Sequence, residues 1–148
     1  MKRFRFRLER VLEWQEQQRQ IQENLLKVLL RELEQADAAI AQVRTARTAA
    51  DQQLLASKVF APGDLVALAE YRQRAARQET SLRRARQESE QRLIKQRSLW
   101  QEAERKCRML ERLKERRRQE HEFEVDRELE AFASEMYLAR WRPSDTGA

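Results

Sequence analysis

The sequence predicts an all-α protein: a long antiparallel two-helix coiled-coil hairpin with a C-terminal helical overhang. Three observations carry that expectation. The 148 residues include two Gly and two Pro, far too few for a fold built on frequent turns. Charged residues make up 38% of the chain, and Ala, Glu, Lys, Leu, Arg and Gln, all good helix formers, dominate it. Apolar residues recur at alternating steps of four and three, the spacing of a coiled-coil seam.

The first helix is expected over about 5–57. Leu8, Leu12, Leu26, Leu29, Leu33, Ala36, Ile40, Val43, Ala50 and Leu54 mark its seam, with Gln15, Arg19, Gln22 and Arg47 at seam positions that are normally apolar. Long side chains can carry their polar ends out of such a seam, and polar atoms there fix register at some cost in stability. A second row, Val11, Trp14, Ile21, Leu25 and Val28, runs beside the seam and makes the apolar stripe wider than one partner helix requires. Trp14 and Trp100 are read as packing bulk for the two-helix seam.

The stretch KVFAPGDLV supplies the break, with a turn expected at 58–64. Pro62 is read as the stop of the first helix, Gly63 as a residue able to take a left-handed backbone, and Asp64 as the N-cap of a helix beginning at Leu65. The second helix is expected over about 65–141. Leu68, Tyr71, Ala75, Leu82 and Ala85 form its first seam, and Leu93, Gln96, Trp100, Ala103, Cys107 and Leu110 follow an extra four-residue step that locally unwinds the supercoil. Val125, Leu129, Phe132, Met136 and Ala139 continue the period towards Pro143, after which residues 142–148 should fray. The chain therefore reads as a single coiled-coil domain over 1–148.

Folding at the break brings together positions whose numbers sum to about 122. Leu54 then meets Leu68, Leu29 meets Leu93, Leu8 meets Lys114, and residues 119–141 extend past the first helix. Charge is written in blocks that suit this arrangement. Residues 13–37 carry six acidic and three basic side chains, and residues 72–118 carry seventeen basic and seven acidic ones. Residues 119–135 reverse to seven acidic and one basic.

No apolar run is long enough to cross a membrane, and the basic start MKRFRFRLER leads into no apolar core of a signal peptide. Both point to a cytosolic chain, and the lone Cys107 fits a reducing compartment. His121 and Cys107 build no metal-ligand spacing, and there is no phosphate-cradling glycine loop or nucleophile, base and acid set. No enzymatic activity and no cofactor are expected.

With the elements in place, the ordered combination of FRFRLERVL, a long helix, APGDLVALAEY, a basic second helix and LERLKERRRQEHEFEVDRELEAFASEM resembles the flagellar export protein FliJ family and the counterpart stalk proteins of virulence type III secretion. That resemblance covers the whole chain and is most specific at its two ends. It implies a non-enzymatic part of the export apparatus, serving flagellum assembly, motility and chemotaxis, at the cytoplasmic face of the cell membrane. Its partners would be the hexameric export ATPase, the cytoplasmic domain of the export gate and export chaperones, and through them the membrane.

By the same resemblance the ATPase end includes Phe4, Arg5, Phe6, Arg7, Leu8 and Arg10 with Leu110, Leu113, Lys114, Arg116, Arg117 and Arg118. The gate end includes Phe60, Leu65 and Tyr71. The first helix departs from the family pattern near the tip, offering Val43, Ala46 and Ala50 where some relatives carry aromatic residues.

Two further readings come from the residues alone. The run RKCRMLERLKERRR is a basic strip, but Glu111 and Glu115 interrupt it and no stacking aromatic falls inside it, so a protein contact or a solvated face is expected before nucleic acid or an anionic membrane. Phe123, Phe132, Tyr137 and Trp141 lie on the overhang, where uncovered apolar side chains mark a partner surface, self-association or a fold-back. A generic scaffold dimerising through Val11 to Val28 is the remaining alternative.

Overall fold

A computed structural model of the chain describes residues 2–57, 59 and 61–141. It contains two helices, α1 over Glu9–Ala56 and α2 over Pro62–Arg140, and no strand among the described residues. The helices pack against each other as an all-α hairpin, the fold class read from the sequence.

Contacts divide the chain into two compact units, Met1–Gln18 with Ala103–Ala148, and Arg19–Glu102. In the second of these, Ile40, Ala75 and Leu93 are buried in the seam between the helices. Ion pairs across the seam report its register: Asp51 with Arg72 at 2.8 Å, Arg44 with Glu79 at 2.7 Å, and Asp37 with Arg86. The partners' numbers fall beside the sum of about 122 that the heptads require. Charge contributes less simply than the blocks suggest. Of the acidic run 13–37, Asp37 is the residue that reaches across to the second helix, among the described residues, and at Arg44 and Glu79 the signs are exchanged between the helices. Hydrogen bonding to Arg44, followed by the charges of Arg44 and Arg83, holds the Glu79 carboxyl below its usual pKa against the opposing effect of desolvation.

A polar layer interrupts this seam. Gln96, 9% exposed, donates its side-chain amide to Gln22 Oε1 at 2.5 Å and to the Gln22 carbonyl at 3.1 Å. Gln96 thus meets Gln22 about one turn from the position the register assigns to it, a displacement its long side chain spans. The indole Nε1 of Trp100 is buried and has no hydrogen-bond partner among the described residues.

In the terminal unit the seam is drier. Leu12, Ala103 and Cys107 are buried, Cys107 completely. Trp14, expected as packing bulk, is instead 55% exposed. It belongs to the second row on α1, and Val11, Ile21, Leu25 and Val28 of that row are likewise exposed, because α2 covers the Leu12 side of the helix and no described residue covers theirs.

The helix ends differ from expectation. α1 begins at Glu9 and not near residue 5, its first turn closing as Leu12 N donates to the Leu8 carbonyl at 2.9 Å. Residues 2–6 have no helical structure. α2 begins at Pro62, so Pro62 opens a helix where the sequence suggested it would close one. A proline fits there because the first helical position has no use for an N–H and favours the fixed proline φ. Asp64 sits in the first turn and accepts a hydrogen bond from Ala61 N at 3.2 Å, the back-reaching half of a capping box. Asp64 is thus not the N-cap. Phe60 lies outside the described residues, as do Lys58 and 142–148.

Gly63 does not use left-handed backbone, since no glycine has positive φ among the described residues. A Cβ placed on it would meet nothing within 4 Å. Gly63→Ala should therefore stabilise the fold by about 0.4–1 kcal/mol, by removing conformational freedom from the unfolded chain. Thermal unfolding followed by far-UV circular dichroism measures this, and an unchanged or lowered midpoint would contradict it.

Candidate functional site

The terminal unit gathers most of the residues singled out from the sequence. Phe4, Phe6 and Leu8 are half-buried while Arg3, Arg5 and Arg7 are exposed, a period-two alternation along a non-helical segment that ends in a turn at Arg7 and Leu8. That segment lies along α2. The Phe4 ring meets His121 with centroids 5.6 Å apart, and Phe4, Phe6, Leu8, Leu113, Arg117 and His121 line one groove. Packing thus sorts the FRFRL motif into two roles: the aromatic and aliphatic side chains hold the segment to α2, and the arginines face solvent.

At the start of α1 the Lys114 ammonium approaches both Glu9 carboxylate oxygens at 2.9 Å, fixing the first turn of α1 to α2. Leu110, Leu113 and Lys114 are half-buried, and Arg10, Arg116, Arg117 and Arg118 are exposed. Within α2, Arg117 pairs with Glu120 at 3.1 Å and Arg118 with Glu122 at 3.2 Å. Arg116 has no ion pair among the described residues, and with Arg105, Arg108 and Arg112 it borders exposed Met109. This rim presents long cations on apolar stems.

Beyond this point α2 loses its cover. His121 and Val125 are half-buried, and every residue from 126 to 141 is exposed. The docked N-terminal segment therefore shortens the uncovered stretch from the expected 119–141. Phe123, Phe132, Tyr137 and Trp141 are 62–72% exposed.

In the unit Arg19–Glu102, Leu65 is 54% exposed, and Tyr71 is half-buried in a shallow groove with Val43, Ala46, Arg74, Ala75 and Gln78. Phe60 lies outside the described residues.

No group of three or more metal-binding side chains occurs among the described residues, and no described helix is long and apolar enough to cross a membrane. Comparison with known protein families, curated proteins and solved structures finds no match.

Reading the residues as one helix from about residue 5 obscured what the N-terminal segment does. The signal was present in RFRFRL, whose strict alternation has the period of an extended chain and not of a helix.

Proposed function

We propose that the protein works by contact and not by catalysis, as a helical hairpin whose terminal unit presents a basic rim to a protein partner. In particular, it is a stalk of the type III protein export apparatus of the FliJ type. Its terminal unit engages the pore of the hexameric export ATPase, its hairpin end reaches towards the cytoplasmic domain of the export gate, and export chaperones are further partners. In this reading it stays in the cytoplasm and meets the membrane only through those proteins.

One observation supports the reading most. The two stretches that carry the resemblance, FRFRLERVL and LERLKERRRQEHEFEVD, lie against each other in one unit, with exposed Arg5 and Arg7 sharing a groove with exposed Arg117. An asymmetric helical unit with such a rim, placed in a near-symmetric ring, contacts the subunits unequally. Tighter contact with one subunit state raises the population of that state, and the ring's own chemistry would then proceed from it.

The test is to add the protein to the purified export ATPase and follow hydrolysis and ring formation. Both should rise, and Arg5→Glu with Arg7→Glu should abolish the rise while leaving helicity intact. A full-length protein of native helicity that changes neither quantity would overturn the reading.

A further inference from the structure

One face of α2 in the terminal unit is turned away from the seam. Ala103, Cys107 and Leu110 face α1, whereas Met109, Phe123 and Tyr137 are 67%, 65% and 72% exposed on the other side. These positions and those between them step by four and three residues, so they share one helical stripe.

About Phe123 the stripe sets unlike side chains at matching distances, except beside the centre, where Glu120 and Asp126 lie three residues to either side and are both acidic. Seven residues before it is Arg116 and seven after it is Glu130, while Met109 and Tyr137 lie fourteen residues to either side. At the ends Arg105 answers Trp141. Arg105, Arg116 and Glu130 are exposed and have no ion pair among the described residues.

We infer that this stripe is a self-association surface, on which a second copy of the chain packs its own α2 antiparallel about a two-fold axis at Phe123. A two-fold interface requires each patch to complement itself reversed, and outside the acidic Glu120 and Asp126 beside the axis this one does so in charge at Arg116 and Glu130. Phe123 meets its counterpart on the axis, Met109 packs on Tyr137 of the second copy, and the pairing of Arg116 with Glu130 occurs twice. Arg105 lies over the Trp141 indole of the second copy, a cation–π arrangement.

A single-sign partner would not select this pattern: it would match the arginine half and be repelled by, or leave unmatched, the glutamate half. A second copy also supplies what residues 126–141 lack. Residues 126–140 form helix with every side chain exposed, and a solitary helix of that length is marginal in water without a packed face.

The inference goes beyond the stalk reading and is tested without any ATPase. Sedimentation velocity of the full chain over a wide concentration range at low salt should show a monomer–dimer equilibrium that weakens as salt rises. Arg116→Glu and Glu130→Arg should each weaken it by about tenfold, with helicity unchanged by circular dichroism. An equimolar mixture of these two variants should restore it, since in the mixed dimer both cross-copy pairs again join opposite charges, with their signs exchanged in one of them. A monomer at every concentration would overturn the inference. A dimer indifferent to both variants, or a mixture no tighter than either variant alone, would overturn it as well, and would move the contact to another surface such as the exposed row at Val11 to Val28.

Discussion

Leu12→Ala should cost about 2–5 kcal/mol of unfolding free energy, the range for removing a buried leucine side chain without collapse of the space it leaves. Leu12 is 3% exposed, and it is the first leucine of the seam inside α1. The helix around it cannot readily close the gap, because the Glu9 and Lys114 contact one turn earlier pins the backbone. Leu25 is the control. At 47% exposure it carries a side chain of equal size in the second row, so Leu25→Ala should cost about 1 kcal/mol or less. Urea unfolding of the two variants would separate them, and equal losses would mean that the row at Val11 to Val28 is covered in solution.

The second large effect concerns the polar layer. Gln96→Leu alone should destabilise by about 1–2 kcal/mol, because the Gln22 side-chain oxygen then faces an apolar group in a half-buried place. Gln22→Leu together with Gln96→Leu should return stability to the starting value or above it. Replacing both partners of a buried polar contact by apolar groups removes the need for the contact. The expected coupling, about 1–3 kcal/mol, is measured by a double-mutant cycle in urea. Additive effects would show that the glutamines do not interact. The double variant also loses the group that identifies this layer among many similar ones, so its helices have less reason to keep one register.

These two cases show why some of the structure could be read from the sequence and some could not. The seam was legible because Leu12, Ile40, Ala75 and Leu93 obey one spacing over many turns, and such a repeat has few alternative explanations. The hairpin followed from Pro62 and Gly63, though not for the reason first apparent. Proline excludes the middle of a helix yet suits its first position, and the sequence around Pro62 satisfies both conditions. Trp14 was misjudged because two adjacent apolar rows on α1 compete for one partner, and spacing does not say which row wins. The segment before Glu9 was misjudged because Leu8 lies on the heptad as well as on the alternation. Composition favoured the helix, while packing against Leu113 and His121 favoured the extended form.

The candidate site divides in the same way. Arginines at 5, 7 and 116 were grouped only through the family resemblance, and nothing in the sequence told that packing would turn Phe4 and Phe6 inward between Arg3, Arg5 and Arg7. The mirrored stripe about Phe123 was equally hidden. Tyr137 and Trp141 stood out as uncovered aromatics, whereas their relation to Met109 and Arg105 appears only when the faces of α2 are separated by exposure.

The docked N-terminal segment also sets an order of events during synthesis. Phe4 is made more than a hundred residues before its resting place at His121. At about 5–20 residues per second the nascent chain carries Phe4 and Phe6 uncovered for several seconds. Pairing of α1 with α2 closes its shortest loops first, beside Pro62, and each later contact is brought near by the one before it. The Phe4 to Phe6 segment is therefore the last part of the hairpin to be clasped, and a partner that meets the protein while it is being made encounters those two rings free.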